Sequence, residues 1–172
     1  MELAGKRVVI TGASRGIGAE IAKAFASAGS QVVVSARTES AITKLADEID
    51  GIAVPFDAND PENVRTYIDL VESIAGPIDV LINNAGIEKS TLVEDITEHE
   101  IEETLRVNLL TPQLLTASVL PKMLSRGTGH LVYTSSIAAT VGNAGMSAYS
   151  SSKAGLTRYA ESLRMELRYT PL

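Results

Sequence analysis

The chain of 172 residues contains no cysteine and no tryptophan, and only two histidines, His99 and His130. The lack of thiols excludes disulfides and thiolate metal sites. Two histidines far apart in sequence leave no basis for an imidazole-based metal centre. Aromatic residues make up only 4% of a chain that is 45% apolar, so the core must be built from Val, Ile, Leu and Ala. That composition suits helices packed on a buried sheet better than an aromatic-rich β-sandwich. There is no basic run, and 21 acidic against 15 basic residues give a net charge of −6, which argues against nucleic acid or an anionic membrane as partner. No apolar run approaches membrane-spanning length, and Met1 to Lys6 holds no apolar signal core. The expectation is a soluble, cytoplasmic chain forming one domain over residues 1–172, large enough for a substantial core.

What the sequence does have is regular alternation. Arg7-Val8-Val9-Ile10 reads as a buried strand that runs through Thr11 into a glycine-rich turn, Gly12-Ala13-Ser14-Arg15-Gly16-Ile17-Gly18, with a helical pattern from Ala19 to Ala28 behind it. Further strands are expected at Gln31–Ala36, Ile52–Phe56, Asp79–Asn83 and His130–Ser135. Between them lie a helix over Glu39–Ile49 broken by Gly51, and one capped by Asp60-Pro61 and running to about Ile74. A long helical region starts at the capping box Thr97–Glu100 and reaches Leu124, with Pro112 marking a break. After a loop from Ser136 to Ser147, a last helix runs from about Tyr149 to Tyr169. Pro55 places the third strand at a sheet edge, because proline cannot donate to a ladder. Five strand–helix units with right-handed crossovers predict an α/β, doubly wound parallel sheet.

The first turn carries the first chemistry. A strand, a tight glycine loop and a helix N-terminus form a site for a phosphate anion, since glycines admit close backbone approach and free N–H groups favour negative charge. Gly12-x-x-x-Gly16-x-Gly18 is not the commoner Gly-x-Gly-x-x-Gly spacing, and a tight turn without a ligand is the alternative. A second constellation is Tyr149-Ser150-Ser151-Ser152-Lys153, where tyrosine and lysine at i and i+4 share a helix face. A neighbouring ammonium favours phenolate, and a tyrosine so poised can exchange a proton with a carbonyl or alcohol oxygen. An ordinary half-buried helix pair is the alternative reading of that spacing alone.

Taken together, Thr11-Gly12-x-x-x-Gly16-x-Gly18, Asn83-Asn84-Ala85-Gly86, Asn108, Ser135-Ser136 and Tyr149-x-x-x-Lys153 resemble the short-chain dehydrogenase/reductase family over Lys6 to Leu167. The sequence is most similar to its 3-oxoacyl-carrier-protein reductase type and their carbonyl-reductase relatives. The resemblance implies a Rossmann-like fold and hydride transfer between a nicotinamide cofactor and a carbonyl or secondary alcohol. It makes Tyr149 the acid/base, Lys153 its modulator and a ribose ligand, and Ser136 the partner of the substrate oxygen, with Ser135 the competing choice. It gives Asn108 a water of a proton relay; an amide satisfying backbone groups at a helix break is the compatible alternative. Gly12, Ser14, Arg15, Gly16, Ile17, Gly18, Asn83, Ala85 and Gly86 fall on its cofactor-binding positions. Asp57 resembles the acid that contacts the adenine amine, or else caps a helix. His99 and His130 match no motif. The resemblance also implies a homodimer or homotetramer, paired through the helices around Leu105–Leu124 and Leu156–Leu167.

Charge argues the choice of cofactor. NAD-specific relatives place an acid at the end of the second strand, but here that position is Ala36, followed by Arg37, with Arg15 inside the glycine turn. Two guanidiniums suit a 2′-phosphate, so NADP(H) is favoured over NAD(H). One departure stands out. Relatives continue into a sixth and a seventh strand, whereas this sequence ends at Thr170-Pro171-Leu172, where the sixth would begin. A fragment, an omitted tail or a protein without turnover each fit that ending. The last would make the chain an NADP-binding sensor or scaffold module rather than an enzyme.

Overall fold

A computed structural model describes residues 2–172. Its five strands, β1 (Arg7–Thr11), β2 (Gln31–Ser35), β3 (Ile52–Ala53), β4 (Val80–Asn83) and β5 (His130–Tyr133), form one parallel sheet of order β3-β2-β1-β4-β5. The helices are α1 (Gly16–Ser27), α2 (Glu39–Ile49), α3 (Pro61–Ala75), α4 (Glu98–Leu105), α5 (Thr111–Arg126) and α6 (Ser147–Glu166). The doubly wound α/β architecture expected from the alternation is therefore the one observed. Side-chain alternation divides the core in two. Val8, Ile10, Val32, Val34, Val80 and Ile82 pack with Ala22 of α1 and with Ile42, Leu45 and Ala46 of α2. Val9, Val33 and Leu81 face the other way, onto Tyr67 and Ile68 of α3 and Leu115, Val119 and Met123 of α5. Both faces of the central strand are thereby sealed, so near-continuous Val and Ile runs are what the position demands.

Several local signals act as read. Asp60 accepts from the N–H groups of Glu62 (2.8 Å) and Asn63 (3.4 Å) to cap α3, and Thr97 with Glu100 closes a capping box on α4. The third strand lies at the edge but is only two residues long. Val54 N–H and Phe56 N–H still donate to Val34 and Ala36 carbonyls, and exposed Pro55 sits between them where no donor is needed. Elsewhere boundaries move. α1 begins at Gly16 rather than Ala19, and α6 runs Ser147–Glu166 rather than Tyr149–Tyr169. The expected loop after Ser136 contains a short 3₁₀ turn, Ile137–Ala139. The residue that ends α2 is Asp50, with φ +51°, not Gly51. Gly51 is needed for space, since a Cβ there would stand 2.8 Å from the Val32 carbonyl.

The largest difference concerns Pro112. It lies within the first turn of α5, and the irregularity is a π-helical turn at Arg106–Leu110 immediately before it. A proline has no N–H for the carbonyl four residues earlier and its ring crowds that carbonyl, which here belongs to Asn108. The disturbance therefore appears one turn upstream of the proline.

Candidate active site

All five strands point their C-terminal ends the same way, and the chain reverses its direction of travel across the sheet between β1 and β4. A crevice opens at such a switch point. Here it is a cleft of about 660 Å³ whose lining includes Gly12, Ser14, Arg15, Gly16, Ile17 and Gly18 after β1, Arg37 after β2, Asp57 after β3, and Ala85 and Gly86 after β4. Ten of the sequence-predicted residues thus come together from four separate turns.

The turn is built for close approach. A Cβ at Gly12 would lie 2.7 Å from Ala85 Cα, and one at Gly18 would run into the Gly12 carbonyl oxygen and stand 2.6 Å from Asn84 Nδ2. Arg15, the N-cap residue of α1, makes no side-chain cap, and the first turn holds no acid. The opening N–H groups of α1 are consequently free to receive an anion. Arg15 and Arg37 are exposed at the cleft, and neither has a carboxylate partner among the described residues. This donor set fits the phosphates of a dinucleotide. Asp57 does not cap a helix; its Oδ1 accepts from Asn59 N–H (2.9 Å), and the residue lines the cleft.

Two residues that hold this arrangement carried no role in the sequence reading. Thr11 Oγ1 accepts from the N–H groups of both Asn84 and Ala85, each at 3.1 Å. Asn84 Nδ2 donates to the Thr11 (3.1 Å) and Gly12 (3.2 Å) carbonyls, while its Oδ1 accepts from Thr134 Oγ1 (3.1 Å) beyond β5. The available signal was a hydroxyl and an amide at the buried ends of apolar strands, since polar groups there must find partners. Asn83, by contrast, does not line the cleft. It is buried beneath it, and neither atom of its amide has a hydrogen-bond partner.

At the Gly86 end of the cleft, a different set gathers. A Cβ at Gly86 would lie 3.3 Å from Asn108 Oδ1 and 3.4 Å from Lys153 Nζ. Asn108, fully buried in the π-helical turn, accepts from Ile87 N–H (2.8 Å) and donates to the Ile87 carbonyl (2.8 Å) and Ser152 Oγ (3.1 Å). Its amide does satisfy backbone, but that of a distant loop rather than of its own helix break. Lys153 Nζ donates to the Thr134 carbonyl (2.8 Å) and lies 5.9 Å from the centroid of the Tyr149 ring. Ser136 begins the 3₁₀ turn two residues after Thr134, its Oγ accepting from Ala138 N–H (3.2 Å). Ser135 faces elsewhere, hydrogen-bonded to Thr157 of α6 (2.7 Å).

Lys153 is only 4% exposed and makes no ion pair, so burial pushes its pKa below the ordinary lysine value of 10.5. A lysine depressed in the folded state leaves the unfolded chain holding more protons between the folded value and about 10.5. Stability therefore rises with pH over that interval. Lys153→Met should be more stable than the parent at neutral pH and should lack that rise. Urea midpoints taken from neutrality to about pH 10 measure both; a parental slope in the variant would refute this origin.

Comparison with known proteins now has a site to bear on. A family profile described as short chain dehydrogenase matches residues 6–171. The ketoacyl reductase HetN of Nostoc sp. is 39% identical over 170 residues, covering 96% of this chain and 59% of that protein. The 3-oxoacyl-(acyl-carrier-protein) reductase FabG of Escherichia coli is 30% identical over 169 residues, covering 97% of this chain and 69% of FabG. A crystal structure of a metagenomic short-chain oxidoreductase in complex with NADP superposes with a TM-score of 0.91 at 34% identity, over 98% of this chain and 79% of that one. A short-chain dehydrogenase from Streptomyces avermitilis gives 0.91 at 35% identity, over 98% and 62%. This chain thus spans just under three fifths of HetN. With a profile match over nearly its whole length and relatives at 30% and 39% identity, the chain belongs to the short-chain dehydrogenase family.

Proposed function

We propose that the chain is the cofactor-binding and catalytic part of an NADP(H)-dependent reductase acting on a carbonyl, a 3-oxoacyl thioester or ketone, or on the corresponding secondary alcohol. The observation that carries this reading is the meeting at Gly86 of the phosphate-binding cleft with Asn108 and Lys153, the latter beside Tyr149. NADP(H), when bound, supplies the hydride. The remaining work falls to the chain. Tyr149 gives a proton to the carbonyl oxygen in reduction, or takes one from the alcohol in the reverse direction. Lys153, held by the Thr134 carbonyl, places positive charge beside the phenol and stands next to Gly86, where it would hold the cofactor ribose. Ser136 hydrogen-bonds the substrate oxygen. Asn108 fixes the Ile87 segment along which a relay water returns protons to Lys153.

Arg15 and Arg37 support NADP(H) over NAD(H), because two unpaired guanidiniums at the cleft match a dianionic 2′-phosphate. Arg37→Asp should move the preference toward NADH by about tenfold or more, the scale of one lost charge-assisted contact with repulsion added. Titrating both cofactors by fluorescence, with a panel of ketones present, reads the ratio and the turnover together. An unmoved ratio would refute the phosphate role, and cofactor binding without oxidation by any carbonyl would favour the non-catalytic module. The exposed side chains of Leu110, at the end of the π-helical turn, and of Leu114 and Leu124 on α5 support the homo-oligomer that the family resemblance implies.

A further inference from the structure

Two loops leave the sheet on the side where the cleft opens, 86–96 after β4 and 136–146 after β5. They are clasped together by Thr91 N–H donating to the Gly145 carbonyl (2.9 Å), with Ser90 Oγ packed against Gly145. Both loops leave the C-terminal ends of their strands, where the cleft opens, and the second begins with Ser136 itself. Each presents a pair of exposed aliphatic side chains. Ile137, next to Ser136, is 77% exposed and Val141 52%, and Val141 N–H donates to the Ile137 carbonyl (3.1 Å), which holds the two residues one turn apart. On the other loop Leu92 is 49% and Val93 72% exposed, carried on a tight turn in which Asp95 and Ile96 N–H groups donate to the Leu92 carbonyl. Exposed aliphatics paired on two joined loops beside a reactive serine mark a surface that receives an apolar group.

The unpaired charges on the same loops are of one sign. Glu88, Glu94 and Asp95 are exposed; the single cation, Lys89, is held by Glu103 of α4 at 2.7 Å. Arg15 and Arg37 belong to the cofactor side of the cleft. Among the described residues of these two loops, an anionic substrate tail would meet three exposed carboxylates and no cation other than the paired Lys89. From the aliphatic pairs and the acidic rim we infer that the substrate is an uncharged aliphatic ketone or secondary alcohol, its chain lying on Ile137, Val141, Leu92 and Val93, and not a thioester carried on a phosphate-bearing group. This inference rests on the reductase reading for the position of the reacting carbon, and it selects the ketone branch of that reading against the branch that the names of HetN and FabG suggest.

Equilibrium binding to the chain saturated with NADP⁺ tests it without requiring turnover. The probes are 2-octanone, 7-oxooctanoate, which adds a terminal carboxylate to the same carbon count, and acetoacetyl-coenzyme A. The expected result is that 2-octanone binds at least about tenfold more tightly than either anion, the scale on which apolar pockets discriminate. Ile137→Lys, at a position too exposed to disturb the core, should erase most of that preference. Equal affinities, tighter binding of either anion, or an unchanged preference in the variant would overturn the inference. NADPH oxidation measured on the same three compounds separates the two levels. Preference without turnover removes the reductase reading and leaves the apolar site, whereas turnover without preference does the reverse.

Discussion

Tyr149→Phe should lower the rate of NADPH-dependent carbonyl reduction by about a hundred- to ten-thousand-fold, the range that one positioned acid/base supplies. NADPH affinity should stay nearly unchanged, because Tyr149 is not among the residues that line the phosphate and adenosine portions of the cleft. The substitution removes one hydroxyl and leaves the ring that Lys153 approaches, and the lysine keeps its bond to the Thr134 carbonyl. What goes with the hydroxyl is the proposed proton donor, so the effect belongs to the chemical step. Steady-state rates with a ketone, alongside a cofactor titration, check it. A variant with the parental rate would take Tyr149 out of the reaction.

The second large effect is steric. Gly18→Ala should destabilise the fold by about 3 kcal/mol, the upper part of the range for forcing a group into a filled space, and should weaken NADPH binding as well. The added methyl would run into the Gly12 carbonyl and Asn84 Nδ2, the atoms that hold the turn to β4. Gly16 provides the contrast within the same turn. A Cβ there meets nothing, but its φ of +56° makes any side chain adopt the left-handed region, at about 1–2 kcal/mol. Urea midpoints for Gly16→Ala and Gly18→Ala therefore should differ, with Gly18→Ala the lower. Equal losses would mean that space at Gly18 is not what the glycine provides.

What the sequence disclosed and what it withheld divide along a physical line. Signals written in neighbouring residues were legible: buried strands as Val and Ile runs, the Asp60 cap, the Thr97–Glu100 box, and the edge position beside Pro55. The cleft was legible because glycine spacing encodes backbone approach directly. The π-helical turn was not, since Arg106-Val107-Asn108-Leu109-Leu110 has no composition that distinguishes it from α-helix. Its irregularity follows from a proline one turn later and from an amide bonded to Ile87, 21 residues away. Asn84 and Thr11 escaped for the same reason, as the bonds that join their segments span more than seventy positions of the chain. The bond from Val141 to Ile137, and the clasp from Thr91 to Gly145 that joins the two loops, also needed the fold to become visible.

The placement of Asn84 bears on how this architecture can be recombined. One amide spans the turn after β1 and the segment after β5, so the half with the glycine turn and the half that holds Lys153 share a fastening. A chimera joining β1 through β3 of this chain to β4 and β5 of a relative inherits both halves intact. It nonetheless loses alignment between them unless Thr11, Asn84 and Thr134 travel as a set. Cofactor preference and substrate range are exchangeable parts only when that three-residue joint is kept.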